Sequence, residues 1–316
     1  MNILITGASG LIGSAIVEKL SIERHSVFGL SRSLKKDNSC IKWVQHDLYK
    51  DPISSLHLPE KIDVVYHLAG QTSVYVAKDD PIADLNSNVI ALLNLLEYFK
   101  SIKQIPFVVL AGTATEVGLV DVLPINEETQ DHPITFYDLS KLTAEIYLKQ
   151  YIREGWVRGC TLRLANVFGR SQKGQKQDRG ILDKIFSRAI EKQDIIIFGD
   201  GEYIRDYIFI EDAVNAFLSA PMNLSEINGK HFIIGSGEGK SIAQAFALVA
   251  ERVKEKMGIS VSTEHKLPPA DFSPIESRNF IADSRKFKQA AGWDSQYSIK
   301  KGIDLTLQKY SSGLKK

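Results

Sequence analysis

"NILITGASGLIGSAIVEKL", residues 2–20, changes its period partway through. NILIT is a short apolar run suited to a buried strand, and after Gly10 the apolar residues return at helical spacing. Between the two lie Gly7, Gly10 and Gly13, spaced G-x-x-G-x-x-G. "HSVFGLS" (25–31) reads as a second strand, so the chain opens with a β-α-β unit and therefore a parallel sheet. The rhythm continues through IKWVQHDL (41–48), VVYHLAG (64–70), a helix near 84–100, PFVVLAG (106–112), a helix near 137–153 and a strand CTLRLANVFG (160–169). After about residue 170 it changes. A polar, basic stretch (169–180) is followed by strands and turns over 194–213, an amphipathic helix over 241–257 and the Pro-rich KLPPADFSP (266–274). The expected organisation is α/β: a doubly wound parallel sheet over 1–170, with later strands crossing back to it, and a smaller substrate-binding part over 171–316. No repeat of 20–50 residues is visible.

Composition narrows the function classes. The 316 residues carry 39 Lys+Arg against 38 Asp+Glu, so the balance lacks the basic bias of a nucleic-acid or membrane-surface binder. Two cysteines, Cys40 and Cys160, fit no metal-ligand spacing, and no metal is expected. The N-terminal apolar run is too short for a signal peptide, and no run approaches the ~20 apolar residues of a membrane span. A soluble, cytoplasmic protein is the expectation.

A glycine-rich strand-to-helix turn has a specific use. The first glycine permits a tight turn, the second lets backbone approach a pyrophosphate, and the third allows close helix–strand packing. Amides at the helix N-terminus then face the anion. Gly7, Ser9, Gly10, Leu11, Ile12 and Gly13 are accordingly assigned to a dinucleotide, together with the backbone of Leu68, Ala69 and Gly70. A carboxylate at the end of the second strand would bind a ribose 2′-hydroxyl; here Ser31 stands in that place and Arg32 follows. A hydroxyl and a guanidinium favour a 2′-phosphate, hence NADP(H) over NAD(H). Asp47 and Leu48, after the third strand, are placed near the adenine.

"YDLSK" (137–141) sets Tyr137 and Lys141 at i and i+4 on one helix face. A free phenol, with a pKa of about 10, is a poor acid or base near neutrality. A neighbouring ammonium is expected to lower it, so that Tyr137 exchanges a proton with a carbinol while hydride moves to or from a nicotinamide. Lys141 is also within reach of the nicotinamide ribose.

Together these segments resemble an extended short-chain dehydrogenase/reductase of the NAD-dependent epimerase/dehydratase family, which acts mostly on nucleotide-diphosphate sugars. The resemblance runs from about Asn2 to Trp293 and includes HLAG (67–70), NVIALLNLLE (88–97), LRLANVFG (162–169), FGDGEYIRDYIFIEDA (198–213) and IGSGEGKSI (234–242). It implies Thr113 as a third catalytic group, in LAGTATEVG, with Thr115 near the substrate. It implies an amide at Asn166 beside the substrate, Arg205 on the nucleotide diphosphate and Arg278 as a second phosphate contact, although the position used by typical UDP-sugar epimerases aligns near Ser273. Lys173, Lys176 and Arg179 would flank the nucleotide entrance. Dehydratases of the family carry an acid just after the catalytic Thr; Ala114 and Thr115 stand there, and Glu116 comes one place late. Helices near 85–100 and 138–153 imply a homodimer. The first functional expectation is an NADPH-dependent reductase of a nucleotide-linked 4-keto sugar. The alternative is a 4-epimerase with a recycled cofactor, ahead of a dehydratase or a non-catalytic NADP-binding sensor.

Overall fold

The computed structural model describes residues 1–22, 25–33, 35–58, 61–169 and 180–313. Lys173, Lys176 and Arg179 lie outside the described residues. Seven parallel strands form the central sheet: β1 (Asn2–Thr6), β2 (Ser26–Ser31), β3 (Lys42–Gln45), β4 (Val64–His67), β5 (Phe107–Thr113), β6 (Arg158–Leu164) and, returning from far along the chain, β10 (His231–Ile234). Their order is β10-β6-β5-β4-β1-β2-β3. The order reverses between β1 and β4, and a doubly wound sheet binds its ligand in the crevice beyond the strand ends at that point.

The apolar runs have no polar face because both faces are covered. Ile3, Ile5, Tyr66 and Val109 enter one packed layer, while Leu4, Val65, Val108 and Leu110 enter the other, in strict alternation. Each such fully buried side chain contributes roughly 1.5–3 kcal/mol. Helices Ala91–Ser101 and Phe136–Arg153 cover the second face.

The stretch 160–169, expected to be one strand, is two. β6 ends at Leu164, and β7 (Asn166–Phe168) leaves the main sheet to pair with β9 (Ile204–Phe209). The break falls at Ala165, whose N–H donates to the Ile234 carbonyl of β10. β11 (Gly239–Ser241) completes this three-stranded sheet, and β8 (Ile195–Phe198) pairs with β12 (Thr263–Lys266). The helix expected near 84–100 is also interrupted: Pro81–Leu85 and Ala91–Ser101 are separated by a wider π turn, Asn86–Ile90. Such insertions cluster at functional sites. No described helix is long and apolar enough to cross a membrane.

Candidate active site

The glycine turn is built as its spacing demands. Gly7 sits at φ +70°, and a Cβ there would lie 2.8 Å from the Ala69 nitrogen and the Leu68 carbonyl carbon. A Cβ on Gly13 would lie 2.3 Å from the Gly7 oxygen. Gly10 caps helix Leu11–Leu20 with no side-chain hydrogen bond, leaving the first-turn amides facing outward. The Thr6 hydroxyl accepts from the N–H groups of Leu68 (3.2 Å) and Ala69 (3.1 Å), which ties β1 to the HLAG segment. This cradle, free of Cβ atoms at its closest approaches, fits a dinucleotide pyrophosphate. Gly13→Ala is expected to weaken dinucleotide binding at least tenfold, measured by fluorescence titration, because the helix must move off the strand.

Around the cradle, Ser9 is exposed and Leu11 and Ile12 are half-buried. Ser31 ends β2, its hydroxyl accepting from the Ser33 N–H at 3.3 Å, and Arg32 beside it is exposed. Asp47 accepts from the Tyr49 N–H in its own turn. The Leu48 side chain is buried in the core, so only its backbone could serve a ligand, and its carbonyl already accepts from Asn94 at 2.6 Å. His67 is buried and neutral: burial and the Lys141 charge hold its pKa down to about 3, and Nδ1 meets the Thr6 hydroxyl at 3.1 Å.

Thr113 is the last residue of β5, and helix Phe136–Arg153 begins one residue before Tyr137. The structure therefore brings Thr113, Tyr137 and Lys141 to the carboxyl edge of the sheet, beside the cradle. Tyr137 is half-buried, and Lys141 is buried next to Asp84 and Glu116. Burial lowers the lysine's proton affinity, and the two carboxylates offset that.

The tyrosine departs from expectation. Burial raises its proton affinity above the ordinary phenol value; the Thr113 hydroxyl pulls it down, and Asp138, Glu116 and Asp84 push it further up. Sequence spacing supplied the lysine but not the carboxylates that other elements bring. The oxidised nicotinamide, when bound, supplies the hydride acceptor and a positive charge.

Several participants were not legible in sequence. Asn88, in the π turn, donates to Asp84 Oδ1 at 2.9 Å, and Gln71 donates to the same oxygen at 2.9 Å. A Cβ on Gly70 would lie 2.5 Å from Asn88 Oδ1, so that glycine admits the amide. Asp84 and Asn88 share i, i+4 spacing, a weak signal that the π turn obscures. Thr115 gives its hydroxyl to Asp138 at 2.5 Å and meets the Thr113 hydroxyl at 2.9 Å.

Glu116 is fully buried. It closes a capping box onto the Thr113 N–H at 2.9 Å and pairs with Arg163 at 2.9 Å. Its carboxyl is thus engaged in the interior by Arg163 and the Thr113 N–H.

On the substrate side, Arg278 donates to the Ile275 carbonyl (2.9 Å) and to Asn166 Oδ1 (3.4 Å), and its charge faces Tyr137 and Asp138. Arg205 is buried. Its fork donates to the carbonyls of Glu276 (2.7 Å), Ile204 (3.1 Å) and Arg278. Burial and the Arg278 charge lower its pKa to about 9. In this structure Arg205 therefore clasps the backbone that presents Arg278.

A phenol able to exchange a proton beside a dinucleotide cradle belongs to a nicotinamide-dependent enzyme of the extended short-chain dehydrogenase/reductase type. The chain is a member of the NAD dependent epimerase/dehydratase family, whose model matches residues 3–235. It is similar to the crystal structure of UDP-glucose 4-epimerase from Thermotoga maritima with UDP-glucose: 31% identity, TM-score 0.86, covering 99% of this chain and 100% of that one. It is 28% identical over 319 residues to UDP-glucose 4-epimerase of Mycolicibacterium smegmatis, with 98% of each chain covered. It is 26% identical over 330 residues to UDP-glucuronic acid decarboxylase 1 of Danio rerio, covering 99% of this chain and 73% of that one.

Proposed function

We propose that the protein inverts C4 of a nucleotide-diphosphate sugar. When bound and retained, the nicotinamide would supply the acceptor and then the donor of the C4 hydride, and the 4-keto sugar would be reduced on its opposite face. The observation that carries this reading is the end-to-end likeness to a UDP-glucose 4-epimerase, combined with Thr113, Tyr137 and Lys141 meeting at the cradle. In the proposed mechanism Tyr137 takes the C4 hydroxyl proton as hydride leaves and returns it as hydride comes back. Thr113 aligns the sugar oxygen with the phenol. Lys141 holds the nicotinamide ribose and, as a buried ammonium, favours the phenolate. Asn166 and Arg278 take the substrate side, Arg278 as the diphosphate contact held in place by Arg205. The glycine turn, Leu68–Gly70 and Asp47 line the dinucleotide. Incubation with UDP-glucose and a catalytic amount of dinucleotide tests the reading: UDP-galactose should form with no net change in cofactor redox state.

Reduction of a 4-keto sugar is the second reading, and one observation favours it. The β2 end carries Ser31 where an acid would otherwise stand, followed by an exposed Arg32, which suits a 2′-phosphate. Ser31→Asp combined with Arg32→Ala should shift preference from NADP(H) toward NAD(H) by about tenfold or more, read as the ratio of dissociation constants. An unchanged ratio would remove Arg32 from cofactor selection.

A homodimer is proposed from an apolar strip on adjacent helices. Leu139, Ile146 and Tyr147 on Phe136–Arg153, with Ile82 and Leu85 on Pro81–Leu85, are all exposed.

A further inference from the structure

Tyr207 lies within β9, two residues after Arg205. Side chains alternate along a strand, so Arg205 and Tyr207 share one face of β9. Asp206 takes the other face, where it accepts the N–H groups of Ser236 (2.8 Å), Gly237 (2.9 Å) and Ala282 (3.1 Å). β7 pairs with β9 in parallel, and the register sets Asn166 opposite Tyr207. Phe168 and Phe209, one step further along this face, meet with ring centroids 5.6 Å apart. Asn166 Oδ1 accepts from Arg278, and Arg205 donates to the Arg278 carbonyl. Tyr207 therefore stands among the residues of the substrate side.

The Tyr207 side chain is 2% exposed, and its hydroxyl is buried with no hydrogen-bond partner among the described residues. A buried, unpaired hydroxyl costs the free energy of its lost hydration, and phenylalanine would fill the same volume without that cost. Burial pushes the phenol's pKa up to about 12, so it stays a proton donor, and the charged groups that face it are Arg205, Arg278 and Glu276. Arg205 has its fork committed to backbone carbonyls. The Glu276 carboxylate lies 3.8 Å from Arg278 and 4.0 Å from Arg205. A neutral donor beside two guanidinium groups suits an anion with several acceptor oxygens.

We propose that Tyr207 is a substrate-binding residue whose hydroxyl donates to the diphosphate of the nucleotide sugar beside Arg278, in the part that the committed fork of Arg205 leaves open. The incoming diphosphate competes with the Glu276 carboxylate for Arg278, and it reaches the hydroxyl as that side chain moves. The inference rests on the reading of this face as a nucleotide-sugar site with Arg278 on the diphosphate.

Tyr207→Phe deletes the single oxygen. UDP and pyrophosphate are titrated calorimetrically into wild type and variant in saturating NAD, so that the glycine cradle is already filled. Both ligands should bind the variant about tenfold more weakly. The ligand-free variant should melt at or above the wild-type temperature, and its affinity for NAD should be unchanged; a purely structural hydroxyl would give a lower melting temperature instead. Equal affinities of the two proteins for UDP and pyrophosphate would overturn the proposal and leave the diphosphate reading standing. A ligand-free variant that melts lower would show the hydroxyl to be satisfied within the fold, and would also overturn it. Wild-type protein that binds neither ligand would take the diphosphate away from this face and overturn both readings.

Discussion

Tyr137→Phe is expected to give a folded protein that binds the dinucleotide as wild type does, with turnover lower by about 10²–10⁴-fold. The substitution deletes one oxygen at a half-buried position, and no other side chain at the site can take its part. Lys141 is a donor without a lone pair in its charged form. Thr113 carries a neutral hydroxyl, a far weaker base than a phenolate, and Glu116 is held in the interior by Arg163. The loss should fall on kcat, because the phenol acts as the proton moves and contributes little to ground-state binding. Retained cofactor affinity separates this from a folding defect. Turnover within threefold of wild type would show that the proton takes another route.

Arg163→Leu is expected to destabilise the fold by about 3–5 kcal/mol, measured by chemical denaturation. Arg163 is 1% exposed on β6 and meets the carboxyl groups of Glu116, Asp131 and Glu145. It donates to Glu145 at 2.8 and 2.9 Å, to Asp131 at 2.5 and 3.0 Å, and pairs with Glu116 at 2.9 Å. Leucine fills the volume but takes the guanidinium away from buried Glu116 and Glu145, leaving Glu145 only Lys149 at 2.6 Å and His231.

The same cluster carries a pH signature. Burial, with Glu145 adding, pushes the Glu116 carboxyl up to about 8 against the pull of Arg163. Its folded value lies above its unfolded one, so its contribution is full below the ordinary carboxylate range and is lost as pH rises through about 8. His231 acts in the opposite sense at lower pH, since burial holds it down to about 4. Comparing wild type with Glu116→Gln cancels that term. The wild-type unfolding midpoint should fall relative to the variant between about pH 5 and 8. A constant difference would mean that Glu116 stays ionised throughout. Glu116 also accepts the Thr113 N–H, so this structural cluster fixes the backbone of a catalytic candidate.

What could be read from sequence was what local periodicity and steric demand encode. The alternation of Ile3, Leu4 and Ile5 and the glycines at 7, 10 and 13 specify a buried parallel strand and a turn that excludes Cβ atoms, and both are built as expected. The break at Ala165 was not legible, because LRLANVFG has a strand's composition throughout. Only β10, some seventy residues later, decides where one sheet ends and the next begins. The electrostatics of Tyr137 were hidden for the same reason. Asp84 and Glu116 reach it from other elements, and nothing in Tyr-x-x-x-Lys announces them. Arg205 has the residue type for a diphosphate contact, yet its fork is filled by the carbonyls of Glu276 and Arg278 from a distant segment and of its neighbour Ile204.

The most direct test of the central claim is proton NMR of UDP-glucose incubated with the protein and a catalytic quantity of NAD or NADP. The account predicts that the resonances of the C4 epimer, UDP-galactose, grow to an equilibrium mixture while no reduced cofactor accumulates in solution. A sugar unchanged at C4, in a protein that instead consumes one NADPH for each 4-keto sugar nucleotide reduced, would contradict it.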